Sequence, residues 1–315
     1  MQVPLLITDF LDRAVRLYPD KTACVEGDLR LDYRALAERI DRLSNVLLDL
    51  GLRPGDRVCM LSPNSHFYLE SFYATAQIGL VLVPLNYRLT SADHEYILNH
   101  AGVCAVLVDG EYTHVVDEIR DRLPKVRHWI AAQDRGTPAP GWTSWNALVE
   151  GASAAPPERP ASIGENDLVS INYTSGTTSR PKGVMMTHRN LYLNAYNMIA
   201  HLGIRHDDVE LWTLPMFHCN GWGGVYALTA MAGTHVILRA IEGDQILRLI
   251  ADEGVTFACM APAVLRTILD TKGRERFTFH TRPRFTVAGA PPPAAFIERL
   301  ESELGWEFIQ LYGLT

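Results

Sequence analysis

Short apolar runs alternate with helix-length amphipathic segments along most of this chain, and this alternation limits the possible folds more than any other feature. Parallel strands need a crossover of a dozen or more residues, usually a helix, so the pattern predicts a mostly parallel sheet covered on both faces. We therefore expect an α/β fold. The predicted strands are Ala23–Glu26, Leu29–Tyr33, Arg57–Leu61, Val81–Leu85, Val103–Val108, Val126–Ala131, Leu168–Tyr173, Glu210–Leu214, Thr234–Arg239, Thr256–Met260, Arg284–Ala288 and Glu307–Leu311.

A stretch rich in Pro, Ala and Gly interrupts the alternation and divides the chain into two predicted lobes. It extends from Gln133 to Asp167, and such a composition is typical of an exposed connection. Because the chain has 315 residues and domains average roughly 150, two lobes fit its length. We predict a first α/β lobe over residues 1–135, a connection over 136–166 with a short helix around Trp145–Glu150, and a second α/β lobe over 167–315.

Charge and cysteine content exclude several classes of protein. The chain has 29 Lys and Arg against 36 Asp and Glu, a net charge of −7, whereas a nucleic-acid-binding protein should carry a basic face. The five cysteines include no CxxC pair, so neither a zinc ribbon nor a disulfide framework is expected. The longest uncharged apolar stretch, near Ile78–Leu85, is far shorter than the roughly 20 residues that span a bilayer. We therefore expect a cytoplasmic protein without a transmembrane segment or a nucleic-acid partner.

The most informative stretch is Tyr173–Gly183, in which four small hydroxyl residues flank one glycine: Thr174 and Ser175 precede Gly176, and Thr177 and Thr178 follow it. Hydroxyls and backbone N–H groups in a tight turn form a concave donor surface for phosphate oxygens. Gly176 would allow close backbone approach, and Lys182 would supply a positive charge. The order differs from a Walker A loop, because Gly183 follows the lysine. By composition alone, an ordinary Ser/Thr-rich turn is the alternative.

The whole string Thr174–Val184 resembles the phosphate loop of the AMP-forming acyl-adenylating superfamily, and among its members the chain is most similar to fatty acyl-CoA synthetases. Ser179 stands where that family usually has a second glycine. The resemblance implies that Thr174 and Lys182 act in catalysis and that Thr174 also contacts Mg²⁺. It further implies that the nucleotide phosphates are bound by Thr174, Ser175, Gly176, Thr177, Thr178 and Lys182.

Two later strings resemble further motifs of the same family. Val287–Pro291 is similar to the loop that lies along the adenine, which implies contacts from Gly289, Ala290 and Pro291; a strand that ends in a Pro-rich turn is the alternative for this string alone. The string Gln310–Thr315 is similar to the family's Y-G-x-T-E motif. This implies nucleotide contacts from Gln310, Tyr312, Gly313 and Thr315, with Tyr312 stacked on the adenine and Thr315 near the phosphates or the acyl carboxylate.

The stretch Pro215–Gly224 mixes aromatic residues with glycines after a predicted strand. Fatty acyl-CoA synthetases have a similar P-x-F-H-x-N-x-W arrangement beside the acyl pocket. The resemblance implies that His218 lies near the reacting carboxylate as a catalytic residue, and that His218, Trp222 and Gly223 contact the acyl substrate. A hydrogen-bonded core histidine and a packed core tryptophan are the alternatives. Amino-acid-activating relatives have an aspartate where this chain has His218, so an amino acid substrate is not expected, since a buried ammonium needs a partner.

Taken together, the resemblance implies two doubly wound α/β lobes of the large N-terminal domain of an acyl-CoA synthetase, with the C-terminal lid domain missing. It implies ATP-dependent activation of a fatty or other carboxylic acid to an acyl-adenylate and then an acyl-CoA. ATP and coenzyme A would be co-substrates and Mg²⁺ the cofactor. A homodimer is compatible with this function. Because the family's magnesium-binding glutamate would follow Thr315, we expect this chain to be a weakly active or inactive fragment. An acyl-AMP synthetase that loads a carrier protein and a catalytically dead nucleotide-binding relative are the alternatives.

Overall fold

The computed structural model describes residues 3–132, 139–174, 180–313 and 315, and these residues build two sheets of seven strands each. In chain order the strands are β1 (Thr22–Glu26), β2 (Leu29–Asp32), β3 (Arg57–Leu61), β4 (Val81–Leu85), β5 (Val103–Asp109), β6 (His128–Ala132), β7 (Thr143–Ser144), β8 (Leu168–Thr174), β9 (Lys182–Thr187), β10 (Val209–Trp212), β11 (Thr234–Ile237), β12 (Phe257–Met260), β13 (Arg284–Val287) and β14 (Glu307–Gln310). One sheet has the order β14-β13-β12-β10-β11-β1-β2 and the other β7-β6-β5-β3-β4-β8-β9.

Helices connect most of the strands. They are α1 (Thr8–Leu17), α2 (Tyr33–Asp49), α3 (His66–Gln77), α4 (Ser91–Ala101), α5 (Thr113–Asp117), α6 (Trp145–Gly151), α7 (His188–Leu202), α8 (Cys219–Trp222), α9 (Gly224–Ala230), α10 (Gly243–Asp252), α11 (Pro262–Asp270) and α12 (Ala294–Arg299). Short 3₁₀ turns lie at Gly110–Tyr112, Arg120–Arg122 and Arg274–Arg276, and a π-helical turn follows α12 at Leu300–Leu304. Segment α8 is not a regular α-helix, because Asn220 and Gly221 within it have left-handed backbone angles.

Local sequence signals explain where several elements begin and end. Gly27 has φ +56° in the turn of the β1–β2 hairpin, a conformation that glycine adopts at no steric cost. The Asp32 side chain caps α2 by accepting a hydrogen bond from the Ala35 N–H at 2.7 Å, as N-cap residues do. Thr187 and Asn190 form a capping box at the start of α7, and Gly203 ends that helix in the left-handed conformation.

The core is continuous between the two sheets. All residues of α3 are buried, and one apolar cluster joins Tyr73 of α3, Met60 of the second sheet and Trp212 of the first. A helix that is buried on every side has no solvated face, which explains why α3 has a weak apolar periodicity. The predicted α/β architecture with mostly parallel strands and covered sheets is therefore the observed one.

Two features of the topology differ from the strands and segments predicted from sequence. The sequence analysis did not predict strand β9. This strand pairs antiparallel with β8, from Leu168 opposite Thr187 to Thr174 opposite Lys182. The hairpin β1–β2 adds to the sheet that holds β10–β14, whereas β8 and β9 add to the sheet built by β3–β7. Each sheet therefore takes strands from both predicted lobes, and the division at residues 136–166 stays a prediction. Within the described part of the chain, no helix has the length and apolar character needed to cross a membrane.

Candidate functional site

Three of the segments singled out by sequence follow the carboxyl ends of strands in the same sheet. Strands β13 and β14 are parallel with Val287 opposite Gln310, and the Leu311 N–H donates to the Val287 carbonyl at 3.0 Å. Strand β10 is parallel to β12, which lies beside β13. Because ligands of open α/β sheets bind beyond the carboxyl ends of the strands, the loops after β10, β13 and β14 define the candidate site.

A cavity of about 560 Å³ lies beside these loops, between them and the β9–α7 segment. Six of the predicted site residues line it, and they come from three separate motifs: His218, Trp222, Gly289, Tyr312, Gly313 and Thr315. Tyr312 leaves 87% of its surface exposed, so one face of its ring is free to stack on a planar group. The structure thus brings together residues that are about a hundred positions apart in sequence.

The other predicted site residues lie outside the cavity lining or outside the described residues. Those that the structure describes away from the lining are Thr174, Lys182, Gly223, Ala290, Pro291 and Gln310. The central residues of the predicted phosphate loop, Ser175, Gly176, Thr177 and Thr178, are not among the described residues. The contacts predicted for all of these residues stay predictions.

Thr174 and Lys182 mark the two ends of the predicted phosphate loop. Thr174 is the last residue of β8 and Lys182 the first of β9, and the two are opposite each other in the antiparallel pair. Thr174 is half-buried and Lys182 is exposed. The hairpin therefore fixes the base of the loop and presents an ammonium group to solvent at that end of the sheet.

In the described part of the chain, no cluster of acidic or metal-binding side chains accompanies this hairpin. Among residues 3–132, 139–174, 180–313 and 315, no group of three or more His, Cys, Asp or Glu side chains could hold a metal ion. Mg²⁺ that arrives with a nucleotide keeps most of its ligands from phosphates and water, and it takes one or two from protein. The Thr174 hydroxyl is an oxygen of the kind that such an ion accepts, so this residue is chemically able to contact Mg²⁺ that is bound to phosphates.

His218 is exposed and lines the cavity, which distinguishes it from a buried core histidine such as His235. Partial desolvation by the surrounding walls lowers the pKa of His218. The next residue, Cys219, places its Sγ 2.7 Å from the Thr315 hydroxyl, and burial raises the pKa of this thiol. A neutral imidazole and a protonated thiol therefore face the cavity at neutral pH.

The segment from Cys219 to Gly223 has an unusual backbone. Five consecutive residues have positive φ, at +50°, +52°, +60°, +58° and +79°, which makes a left-handed turn. A Cβ on Gly221 would lie 2.4 Å from the Trp212 ring, and one on Gly223 would lie 2.1 Å from Asn194 Nδ2. At Gly221 both φ and the Trp212 ring favour glycine, and at Gly223 a Cβ would require the Asn194 amide to move.

Sequence reasoning missed the polar residues that hold this turn. The Asn194 amide of α7 donates to the Trp222 carbonyl at 2.8 Å. On the other side, Asn220 is fully buried and hydrogen-bonds to Ser170 and Asn172 of β8. The Asn-Gly pair at 220–221 was the available signal, because asparagine and glycine tolerate left-handed backbone better than other residues.

Comparisons with known proteins agree with this geometry. A sequence profile of the family described as AMP-binding enzyme matches residues 11–315. The chain is similar to 4-hydroxybutyrate–CoA ligase 2 of Metallosphaera sedula, with 35% identity over 99% of this chain and 57% of that protein. It is also similar to a peroxisomal butyrate–CoA ligase of Arabidopsis thaliana, with 32% identity over 99% of this chain and 56% of that protein. The chain thus spans little more than half the length of these relatives.

A solved structure shows the same architecture. The inhibitor-bound N-terminal domain of FACL13 from Mycobacterium tuberculosis superposes with a TM-score of 0.88 at 29% identity, and the match covers 98% of this chain and 76% of that one. Both the predicted family resemblance and the predicted class of fold, two α/β sheets as in the N-terminal domain of acyl-CoA synthetase-like enzymes, are therefore confirmed.

Proposed function

Since the chain belongs to the AMP-binding enzyme family, we propose that it forms the part of an acid–CoA ligase that binds ATP and a carboxylic acid and joins them as an acyl-adenylate. One observation carries this proposal: His218, Trp222, Gly289, Tyr312 and Thr315 line a single cavity at the carboxyl edge of the sheet. The motifs that resemble adenine-binding and acyl-binding loops thus meet where one ligand would contact both.

The chemistry follows from the poor reactivity of a carboxylate. Its negative charge and resonance shield the acyl carbon, so the acid oxygen first attacks the α-phosphate of ATP and expels pyrophosphate. The thiol of coenzyme A then attacks the acyl carbonyl and displaces AMP, which gives the thioester. Catalysis of the first step is mainly positioning and charge stabilisation. Mg²⁺ on the ATP phosphates would neutralise the charge of the leaving pyrophosphate.

We assign the roles of this chain's residues accordingly. Lys182, at the base of the loop, balances phosphate charge, and Thr174 supplies a hydroxyl oxygen to the phosphates or to their Mg²⁺. Tyr312 stacks on the adenine beside Gly289, while Thr315 contacts the α-phosphate or the acyl carboxylate. His218, neutral at working pH because its pKa is lowered, offers a hydrogen bond to the reacting carboxylate without adding a charge.

We further propose a fatty acid as the acid substrate. The acyl side of the cavity includes Met186, Leu191, Met198 and Trp222, and no aspartate or glutamate is among its described lining residues. Each buried CH₂ group contributes about 0.8 kcal/mol, whereas a substrate ammonium would lack a partner. The relatives named above carry butyrate and 4-hydroxybutyrate in their names, so short acids are the first to test. A cytoplasmic location and a homodimer stay part of the proposal.

Titration calorimetry of the chain with non-hydrolysable acyl-sulfamoyladenosines tests the binding function. We expect the butyryl, decanoyl or benzoyl compound to bind at least about tenfold more tightly than AMP, because only they fill both ends of the cavity. The matched control is alanyl-sulfamoyladenosine, whose ammonium should weaken binding. Equal affinity for AMP and all acyl compounds, or no binding at all, would contradict the proposal.

The acceptor is tested separately. The chain is incubated with ATP, Mg²⁺, butyrate and either coenzyme A or a phosphopantetheinyl carrier protein, and thioesters are detected by mass spectrometry. We propose coenzyme A as the acceptor. A thioester formed only on the carrier would favour an acyl-AMP synthetase, and ligand binding without any pyrophosphate release would favour a catalytically inactive relative.

A further inference from the structure

The left-handed turn at Cys219–Gly223 is attached to strand β8 by a closed set of hydrogen bonds, which we call the polar triangle: Ser170, Asn172 and Asn220. Asn220 Nδ2 donates to Ser170 Oγ at 2.8 Å, Ser170 Oγ donates to Asn172 Oδ1 at 3.1 Å, and Asn172 Nδ2 donates to Asn220 Oδ1 at 3.1 Å. All three side chains are buried, with at most 2% exposure. Each side chain is both donor and acceptor, so the triangle leaves no member unsatisfied.

Two members of the polar triangle, Ser170 and Asn172, belong to the strand that leads into the predicted phosphate loop. Side chains at every second position of a strand point to the same face of the sheet, so Ser170, Asn172 and Thr174 of β8 share one face. Thr174 is the first residue of that loop, two positions beyond Asn172. The same Asn172 amide also donates to the Phe217 carbonyl at 3.3 Å, just before His218.

On its other side, the turn carries the residues of the acyl end. Asn220 stands between Cys219 and Trp222, which both line the cavity, and its Nδ2 lies 3.7 Å from the sulfur of Met186, another lining residue. Asn220 has φ +52°, a conformation that is unfavourable for most residues that have a Cβ. Asparagine suits this position, because its amide satisfies the buried partners and because it tolerates the left-handed backbone better than most residues that have a Cβ.

We infer that Asn220 is a positioning residue, which holds the acyl-pocket wall in fixed register with the strand that leads into the phosphate loop. This inference rests on the proposed function, because it concerns how the acyl and phosphate parts of one adenylate are bound together. Asn220 does not contact the reacting atoms; it acts through His218, Trp222 and Thr174. Loss of the polar triangle should weaken the binding of a joined acyl-adenylate analogue more than it weakens the binding of AMP or of the acid alone.

The experiment measures how much more tightly the chain binds butyryl-sulfamoyladenosine than AMP, expressed as the ratio of the two dissociation constants. Asn220→Gly keeps the left-handed backbone but removes the amide, and we expect the ratio to fall about tenfold, the equivalent of one or two lost hydrogen bonds. Asn172→Ala should lower the ratio similarly. The double variant should be little worse than either single one, because the two residues share a hydrogen bond.

Two controls separate positioning from general loss of stability. Ser44→Ala removes a buried hydroxyl that hydrogen-bonds within α2 and to α3, away from the cavity, and it should leave the ratio unchanged even though the melting temperature falls. Asn220→Ala adds backbone strain to the lost amide, so it should melt below Asn220→Gly while giving a similar ratio. Circular dichroism checks that every variant is folded.

The outcomes distinguish the inference from the function on which it rests. A wild-type ratio above one that stays unchanged in Asn220→Gly would overturn the inference and leave the proposed function standing. An equal fall of the ratio in Ser44→Ala would also overturn it, because the effect would then follow stability alone. A wild-type chain that does not bind the adenylate analogue would contradict the proposed function and this inference with it.

Discussion

At the scale of single residues, burial sets the protonation of a core histidine, His235. The His235 ring is fully buried, and desolvation lowers its pKa to about 3. Its Nδ1 accepts from Trp212 Nε1, a group that can only donate, at 3.0 Å. The proton of the neutral ring is therefore on Nε2, which lies 3.1 Å from the Thr229 hydroxyl. His235 thus packs below the left-handed turn as a neutral residue.

The buried histidine makes stability depend on pH in a defined direction. Below its ordinary pKa of about 6.5, the unfolded chain binds a proton at His235 that the folded chain excludes down to about pH 3. The contribution of His235 to the free energy of unfolding is therefore complete above pH 6.5. As the pH falls below this value, the free energy of unfolding decreases by up to about 1.4 kcal/mol per pH unit because of this group. Urea unfolding at several pH values measures the slope of the free energy of unfolding against pH. In His235→Gln this slope should correspond to about one fewer proton taken up on unfolding. An unchanged slope would contradict this account.

Lys182 is the residue on which nucleotide binding should depend most directly. Lys182→Ala removes the positive charge at the base of the predicted phosphate loop, and we expect the affinity for ATP to fall about tenfold or more, as for the loss of a charged hydrogen bond. Adenosine, which has no phosphates, should bind the variant and the wild type equally. Lys272→Ala, which removes another exposed lysine, serves as the control. Equal ATP affinity in both variants would argue against a phosphate role for Lys182.

At the scale of secondary-structure elements, the β8–β9 hairpin is closely packed at Gly183. A Cβ at Gly183 would lie 2.7 Å from Ile171 Cγ2 and 3.2 Å from the Tyr173 ring. Gly183→Ala should therefore destabilise the fold by about 1–3 kcal/mol, because the hairpin must shift to admit the methyl group. Chemical denaturation measures this change.

Gly151→Ala provides a matched control for the hairpin variant. No heavy atom lies within 4 Å of a Cβ built on Gly151, and its φ is not positive. This substitution should leave stability unchanged or slightly increase it, since alanine restricts the unfolded chain. Equal effects at Gly151 and Gly183 would show that the close contact in the hairpin is not what matters.

The elements also show where sequence patterns succeed and where they fail. The runs Arg57–Leu61 and Val81–Leu85 were predicted with the observed bounds, because fully buried strands are continuous apolar stretches between turns. Strand β9 was missed because it begins Lys-Gly and exposes Met185, and because its apolar run of three residues, Val184–Met186, is too short to indicate a strand. The left-handed turn is set by tertiary contacts with Trp212 and Asn194, and no local pattern encodes those.

At the scale of the whole molecule, one buried amide connects the two sheets beside the site. Asn64 follows β3 of one sheet, and its Nδ2 donates to the carbonyls of Trp212 and Leu214 at the end of β10 in the other sheet, both at 2.9 Å. Its Oδ1 accepts from the Met216 N–H at 2.7 Å. This amide therefore anchors the segment that leads to His218.

Removing that amide should destabilise the molecule more than an equivalent change at the surface. Asn64→Ala leaves three buried backbone groups without their partner, and we expect the free energy of unfolding to fall by about 2–4 kcal/mol. Asn45 also donates to two carbonyls at 2.9 Å, but both hydrogen bonds are exposed to solvent, so Asn45→Ala should cost less than about 1 kcal/mol because water replaces the bonds. Similar losses in the two variants would contradict the role given to Asn64.

The assignment of strands to sheets could not be predicted from local patterns. Strand β1 pairs with β11, more than 200 positions later in sequence, and β8 pairs with β4. Such pairings depend on which apolar faces fit together over the whole core, and the alternation of strands and helices is the same for either arrangement. The sequence motifs did include six of the residues that line the cavity, because each of these motifs follows a strand and strand ends meet at one edge.

A crystal structure of the chain with butyryl-sulfamoyladenosine tests the central claim most directly. We predict that the purine lies between Gly289 and Tyr312, that the sulfamoyl group points toward Thr174 and Lys182, and that the butyryl chain reaches Trp222. A purine bound elsewhere, with the cavity beside the β10, β13 and β14 loops left empty, would contradict the proposed site.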